Sequence, residues 1–440
     1  LERYFTRIGW LGTEQVLRIL AGLLFVAVAA RYLGPARFGT MTYALTIASL
    51  ASQVVRYGQD NLVIKDIVRN RSEAASTVAT AFLIRLALWV LACGAMIAFL
   101  HFVPPPGPLG PLAVAGMCVL VLAVPFESQF AAARAFDLFR NVSIGRSIVV
   151  VLAALVAVAF VLLSMDVDAF VMLRGFETLV YGLVSLAVFI SVGKERGTVR
   201  LTGGRFVRMV RLGFPIMLSQ LAVLAYLTID QVMLGLMAGS HELGLYGVAV
   251  KIAMLGAFLP RLLQSVTYPT LVEREGEGAA LMGALSRYFD YFAATGWLVA
   301  IGTAIGATLF LVPLFGASYE EALPVCLVLL LAQPLFALTT AYKSCLSASS
   351  RFWPMTVISG AAAATNVVLN LVLIPRFGGM GAAVATIAAL FVASIVSASL
   401  RRDDRAMAAM MVRSLEPFGA LGRTFRQVMP LVAARMGRKA

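Results

Sequence analysis

Apolar runs of membrane-spanning length recur along this chain and leave it few ways to fold. Clear examples lie at residues 86–99, 147–163, 179–192 and 297–312. About 20 such residues in a row cross the hydrocarbon core of a bilayer as a helix. A dry bilayer offers no partners to backbone N–H and C=O groups, so a spanning segment must be a helix or part of a closed barrel. The period-2 alternation that a barrel needs is absent. Composition agrees, since 60% of the 440 residues are hydrophobic, 13% are charged and mean hydropathy is +0.90. A soluble domain carries roughly 25% charged residues. The expected fold class is an all-α polytopic membrane protein.

Apolar runs and their breakers predict helices near 10–31, 38–56, 77–102, 110–133, 141–164 and 168–192. A second set falls near 213–236, 243–270, 284–312, 321–347, 354–374 and 380–400. The total is about 12 transmembrane helices. The expected organisation is an N-terminal six-helix bundle (1–193), a basic cytoplasmic linker (194–211), a C-terminal six-helix bundle (212–400) and a basic cytoplasmic tail (401–440). The tail mixes Arg with Met, Phe and Leu, and two readings of it stay open. It lies along the anionic inner leaflet as an amphipathic helix, or it is a poorly ordered basic extension.

Lys and Arg concentrate on one side of this topology, which marks that side as cytoplasmic. Only Arg31, Arg37 and Arg376 fall outside, and Arg18, Arg85, Arg174, Lys251 and Arg261 lie within helices. Both termini are expected in the cytoplasm, with the bacterial plasma (inner) membrane as the site. The formal net charge of +14 has the same origin, so nucleic acid is not an expected partner. Cys93, Cys118, Cys326 and Cys345 sit in or beside apolar runs and read as small buried hydrophobes. His101 and His241 have no ligand partners in sequence, and no metal site is expected. No signal-peptide cleavage pattern is present, and the first helix would serve as the insertion signal. The chain begins at Leu1, so a few residues are expected to precede it.

The two halves echo each other. Gly34, Gly39 and Ala44 recur with the same spacing as Gly239, Gly244 and Ala249, and Leu122-Ala123-Val124-Pro125 recurs as Leu331-Ala332-Gln333-Pro334. The offsets are 205 and 209 residues. Glycine suits a tight external turn that needs positive φ or close backbone approach. Each proline removes a helical hydrogen bond and permits a kink. With six helices per half, the repeats share one membrane orientation and are pseudo-symmetric about an axis along the membrane normal. Transporters built this way place substrate between the halves near mid-membrane. No loop is long enough to be a soluble domain, which weighs against a membrane-embedded glycan-processing enzyme.

Several segments carry a recognisable pattern. They are Arg31-Tyr32-Leu33-Gly34-Pro35-Ala36-Arg37-Phe38-Gly39, Gly213-Phe214-Pro215-Ile216 with Asp230-Gln231-Val232-Met233-Leu234, and Gly244-Leu245-Tyr246-Gly247-Val248-Ala249. The most specific is Asn366-Val367-Val368-Leu369-Asn370-Leu371-Val372-Leu373-Ile374-Pro375-Arg376-Phe377-Gly378, continuing Gly381-Ala382-Ala383-Val384-Ala385-Thr386. Together these segments resemble the polysaccharide flippases of the multidrug/oligosaccharidyl-lipid/polysaccharide exporter superfamily, and the resemblance implies two bundles around a central cavity and an alternating-access cycle. It also implies a lipid-linked oligosaccharide, carried on polyprenyl pyrophosphate and moved from the inner to the outer leaflet. The implied role is a transporter, not an enzyme, in surface polysaccharide biosynthesis. A protein of this kind is expected to act as a monomer among membrane lipids, alongside polysaccharide assembly proteins. The alternatives are an H⁺- or Na⁺-coupled multidrug exporter of the same fold and a cell-wall lipid precursor flippase.

A charge near the bilayer centre costs about 2.5–3.5 kcal/mol on insertion scales and calls for a reason. Five basic and four acidic residues lie mid-helix. A pyrophosphate cannot cross hydrocarbon unless cations and water line its path, and arginine's fork suits phosphate oxygens. Arg18, Arg85, Lys251 and Arg261 are therefore the candidate substrate-binding residues. Glu14, Glu127 and Asp230 are the candidates for a coupling H⁺ or Na⁺, and no other cofactor is expected. Structural readings stand beside these. Glu14 with Arg18, Asp230 with Lys251, and Arg174 with Glu177 could each be an ion pair that only makes the helices insertable. Arg85 lies close enough to the cytoplasmic end to snorkel.

Overall fold

The computed structural model describes the backbone of residues 2–136, 138–193, 197–273, 279–349, 351–417 and 419–426. Within these it describes the side chains from residue 19 onward, except those of 139, 269–270, 272–273, 279–281 and 352. Every regular element among the described residues is helical. Nine stretches among them are long and apolar enough to cross a membrane, and the chain is a multi-pass membrane protein. Three of the nine run to 51, 66 and 48 residues, more than twice the roughly 20 residues a bilayer core needs. Each is kinked at a glycine outside the helical region, Gly34 (φ 69°, ψ 170°), Gly239 (φ 89°, ψ 174°) and Gly378 (φ 52°, ψ −133°), and the first also turns at Gly58 (φ 64°). A Cβ would forbid these conformations. Division at the three glycines is compatible with the expected total of about twelve spans.

The chain packs as two compact units, Leu1–Gly244 and Leu245–Ala440. Unit 1 holds α1 (Glu2–Arg56), α2 (Asp60–Arg69), α3 (Ala74–Phe102), α4 (Pro111–Ala135), α5 (Phe139–Leu162), α6 (Val167–Ser191) and most of α7 (Gly203–Ala253). Lipid tails are as apolar as leucine, so helices associate in a bilayer through small residues that admit close approach. In unit 1, α4 and α6 do this through glycine. A Cβ on Gly175 would lie 2.4 Å from the Gly116 carbonyl oxygen, and one on Gly182 would lie 2.6 Å from Phe126 Cβ. The outward face of α5 presents Ile148, Leu152, Leu155 and Leu162 at helical spacing, all exposed, as a lipid-facing stripe should.

The turn around Gly34 meets the turn around Gly239 within unit 1. A Cβ on Gly39 would stand 1.8 Å from the Ser240 carbonyl oxygen, and one on Gly244 would stand 1.9 Å from that of Pro35. Pro35 and Ser240 are themselves repeat-equivalent, so this is one contact made twice with the partners exchanged. The repeated glycines are required by close approach.

Two stretches differ from the sequence expectation. The apolar pattern places no helix between 56 and 77, yet α2 forms there with Val63 and Ile67 buried one turn apart. They pack with Ile84, Ala132 and Met209. Ten residues of mixed polarity are too short to read as a span, and only packing shows the helix. The second is α7, which begins at Gly203, ten residues before the expected start at 213. Its first turns are basic, and Arg205 pairs with Glu73 while Arg208 pairs with Asp66. Upstream, the Arg200 amide donates to Ser76 Oγ (2.8 Å), whose hydroxyl donates to the Thr198 carbonyl (3.0 Å).

Unit 2 holds the end of α7, α8 (Phe258–Glu273), α9 (Ala279–Phe315), α10 (Ala322–Leu330), α11 (Ala332–Ala348), α12 (Phe352–Phe391), a π turn (Val392–Val396), α13 (Ser397–Leu400) and α14 (Arg405–Ser414). Pro334 has no N–H for the Leu330 carbonyl, and the helix is interrupted at Leu331, between α10 and α11. Its counterpart Pro125 sits inside a continuous α4. The described part of the tail is fastened to unit 2 by two buried carboxylates. Asp404 accepts from Arg351 (2.8 and 3.1 Å), Arg401 (2.9 Å) and the Tyr342 hydroxyl (2.8 Å). Asp290 accepts from Ser414 (2.8 Å) and doubly from Arg423 (2.9 and 3.0 Å). Residues 427–440 lie outside the described residues.

Candidate functional site

In unit 1, α1, α4, α5, α6 and α7 surround a cavity of about 340 Å³. Polar side chains are costly at membrane depth, so a wall carrying eight of them needs a reason. Ser49, Ser52, Gln53 and Arg56 come from α1, Glu127 from α4, Arg146 from α5, and Thr178 and Tyr181 from α6. Arg56 donates from Nε and Nη2 to the two Glu127 oxygens (2.7 and 2.8 Å), a bidentate fork. Its Nη1 donates to Gln53 Oε1 (3.1 Å), and Gln53 Nε2 donates to Gln220 Oε1 (2.8 Å). The pair thus lies in a chain of hydrogen bonds that fixes its geometry.

Two further charges adjoin this chain. Asp60 approaches Arg56 at 4.0 Å and accepts from Arg85 Nη2 at 2.7 Å. Arg85 is fully buried, and its Nη1 reaches the Val124 carbonyl at 3.4 Å. On the opposite wall the Arg146 guanidinium carbon stands 3.8 Å from the Phe130 ring centroid and 5.7 Å from that of Tyr181. Tyr181 in turn donates to Glu177 (2.8 Å), which also pairs with Arg174. The arrangement gathers cations inside the helix bundle, some balanced by carboxylates and one stacked on rings.

The sequence candidates fall out as follows. Glu127 lines the cavity, and Arg85 stands behind it through Asp60. The Arg174–Glu177 pair forms as its spacing suggests. Asp230 is buried and accepts the Gln231 amide (2.8 Å). Lys251 and Arg261 are exposed in unit 2, and the Arg261 guanidinium carbon lies 5.7 Å from the Phe336 ring centroid. The side chains of Glu14 and Arg18 lie outside the described ones.

Sequence reasoning missed Arg56, Asp60 and Arg146, because each sits near a helix end where loop and snorkelling readings absorb it. One signal could have found the first. Arg56 and Gln59 recur as Arg261 and Gln264, at the same 205-residue offset as the turn glycines. Unit 2 has a polar cluster of its own. Asn370 Nδ2 donates to Asn366 Oδ1 (2.8 Å), Asn366 Nδ2 approaches Thr386 Oγ1 (3.5 Å), and the buried Asn370 Oδ1 has no hydrogen-bond partner.

Residues 6–274 match the family model described as "Polysaccharide biosynthesis protein". The chain belongs to that family. Among curated relatives of the family member, "Probable flippase AglR" of Haloferax volcanii is 26% identical over 218 residues, covering 47% of this chain and 43% of that protein. The match therefore spans less than half of the relative's length. The family member also shares the fold of two solved transporters. One is a lipid II flippase, MurJ, in an inward closed conformation (TM-score 0.66, 13% identity, 92% and 90% of the two chains). The other is an inward-facing multidrug resistance MATE family transporter of the MOP superfamily (TM-score 0.60, 13% identity, 93% and 99%). At these identities the likeness establishes the fold.

Proposed function

We propose that the protein flips polyprenyl-pyrophosphate-linked oligosaccharide from the inner to the outer leaflet of the plasma membrane by alternating access, in surface polysaccharide biosynthesis. The observation that carries this reading is the polar, arginine-bearing cavity inside apolar helices, in a chain of the polysaccharide biosynthesis family. A pyrophosphate needs fixed cations to leave water, and Arg56 and Arg146 stand at the wall of such a space. Arg261, Lys251 and Arg18 are the further cations assigned to the cargo. Arg85 acts through Asp60, holding it beside Arg56. The flippase relative and the lipid II flippase fold point the same way. A multidrug exporter would favour bare carboxylates for cationic drugs, whereas the cavity carboxylate Glu127 is already forked by Arg56.

In this reading the two six-helix halves, 1–193 and 212–400, expose the cargo site to each leaflet in turn, with both termini cytoplasmic and one chain sufficient for transport. Glu127, with Glu14 and Asp230, takes up the coupling proton. Neutral oxygens suit Na⁺ as the other candidate ion, and the Asn366–Asn370 carboxamides supply them. The test is transport by the purified protein in vesicles, using a fluorescent polyprenyl-pyrophosphate oligosaccharide and a membrane-impermeant quencher. The expected result is quenching that protein-free vesicles lack, abolished by Arg56→Ala and by Arg261→Ala. Equal rates with and without protein would sink the reading.

A further inference from the structure

The repeat builds one side-chain meeting twice and changes its chemistry. Arg56 and Arg261 occupy matching places, 205 residues apart, in the register of the turn glycines. Glu127 comes two residues after Pro125, and the residue two after the matching Pro334 is Phe336. In unit 1, Arg56 forks Glu127 at 2.7 and 2.8 Å. In unit 2, the Arg261 guanidinium carbon stands 5.7 Å from the Phe336 ring centroid. The contact has persisted in both copies while a carboxylate in one stands where a ring stands in the other.

The exchange alters what each arginine can offer. A carboxylate occupies the guanidinium's donors and cancels its charge. A ring face attracts the cation through its quadrupole and leaves the charge and the N–H edges available. Phe336 is buried at 7% exposure, so it is a fixed platform, whereas Arg261 is exposed. None of the ion pairs among the described residues involves Arg261.

We infer that Phe336 is a specificity-determining positioning residue, holding Arg261 oriented for a phosphate oxygen of the cargo headgroup without offsetting its charge. The same position in the first half, Glu127, forks Arg56 and offsets its charge, so Arg56 meets the cargo only once that fork opens. The two halves would therefore meet an anionic headgroup unequally, with unit 2 carrying the stronger attraction. This inference rests on the flippase reading above.

The experiment measures binding of a fluorescent polyprenyl pyrophosphate, against the uncharged polyprenol, to the purified full chain in nanodiscs. Phe336→Glu, which copies the first half's ion pair into the second, is expected to weaken pyrophosphate binding about tenfold or more. Phe336→Leu, which removes the ring but stays apolar, is expected to weaken it about threefold. Phe336→Tyr, which keeps the ring, should bind within about twofold of the unsubstituted chain. Leu and Tyr variants are apolar or isosteric enough to keep the test open if the Glu variant fails to insert. Equal binding by the Leu and Tyr variants would overturn the role of the ring, and unchanged binding by the Glu variant would overturn the inference as a whole. An unsubstituted chain that binds pyrophosphate no better than polyprenol would overturn the flippase reading itself. That result is distinct from the others.

Discussion

Arg85 illustrates how residue chemistry and stability meet in a membrane protein. Its side chain is fully buried, and Asp60 at 2.7 Å is its carboxylate partner. Asp60 is 35% exposed, so losing it leaves the buried Arg85 charge uncompensated at a cost below the about 3–5 kcal/mol of a fully buried pair. Replacing both members with apolar groups is often neutral. Asp60→Ala should therefore lower the thermal midpoint of the detergent-purified protein sharply, and adding Arg85→Met should restore most of the loss. An unshifted midpoint in the single variant would show that the pair carries no such load. The sequence identifies Arg85 as a charge needing a reason, but not its partner. Asp60 is 25 residues earlier in the chain, on a short helix that apolar patterning does not reveal.

Among elements, the glycine turns carry the sharpest requirement. Gly39 and Gly244 each face a carbonyl oxygen that a Cβ would approach to 1.8 and 1.9 Å, so alanine at either must push two helices apart. Overpacking of this kind costs about 1–3 kcal/mol. Because the contact is reciprocal, Gly39→Ala and Gly244→Ala should lower the melting temperature by similar amounts. Gly22→Ala, where a Cβ would meet nothing within 4 Å, should leave it unchanged. Losses that differ several-fold between the two turn variants would argue against the reciprocal contact. The spacing of these glycines is plain in the sequence, and it marks them as special. That they touch each other's turns is a fact of packing between segments 205 residues apart, which spacing alone does not express.

For the whole molecule, the proposed flippase reading needs an energy source. That reading assigns the coupling ion to Glu127, because it is the carboxylate that Arg56 forks at the cavity wall. Glu127→Gln should abolish uphill accumulation of labelled lipid in vesicles with an imposed proton gradient while downhill flipping persists. Uphill accumulation that survives in this variant and follows a Na⁺ gradient would move the coupling site elsewhere. The sequence by itself determined the solvent this chain folds in, its helical class and its twofold repeat. Those follow from one-dimensional quantities: hydropathy, run length and recurrence. Only the tertiary structure decided which charges meet, because Arg56 with Glu127, Asp60 with Arg85, and Arg261 with Phe336 are contacts across helices. Helix rotation and depth set them, and both are fixed by the packing of small residues against neighbouring helices.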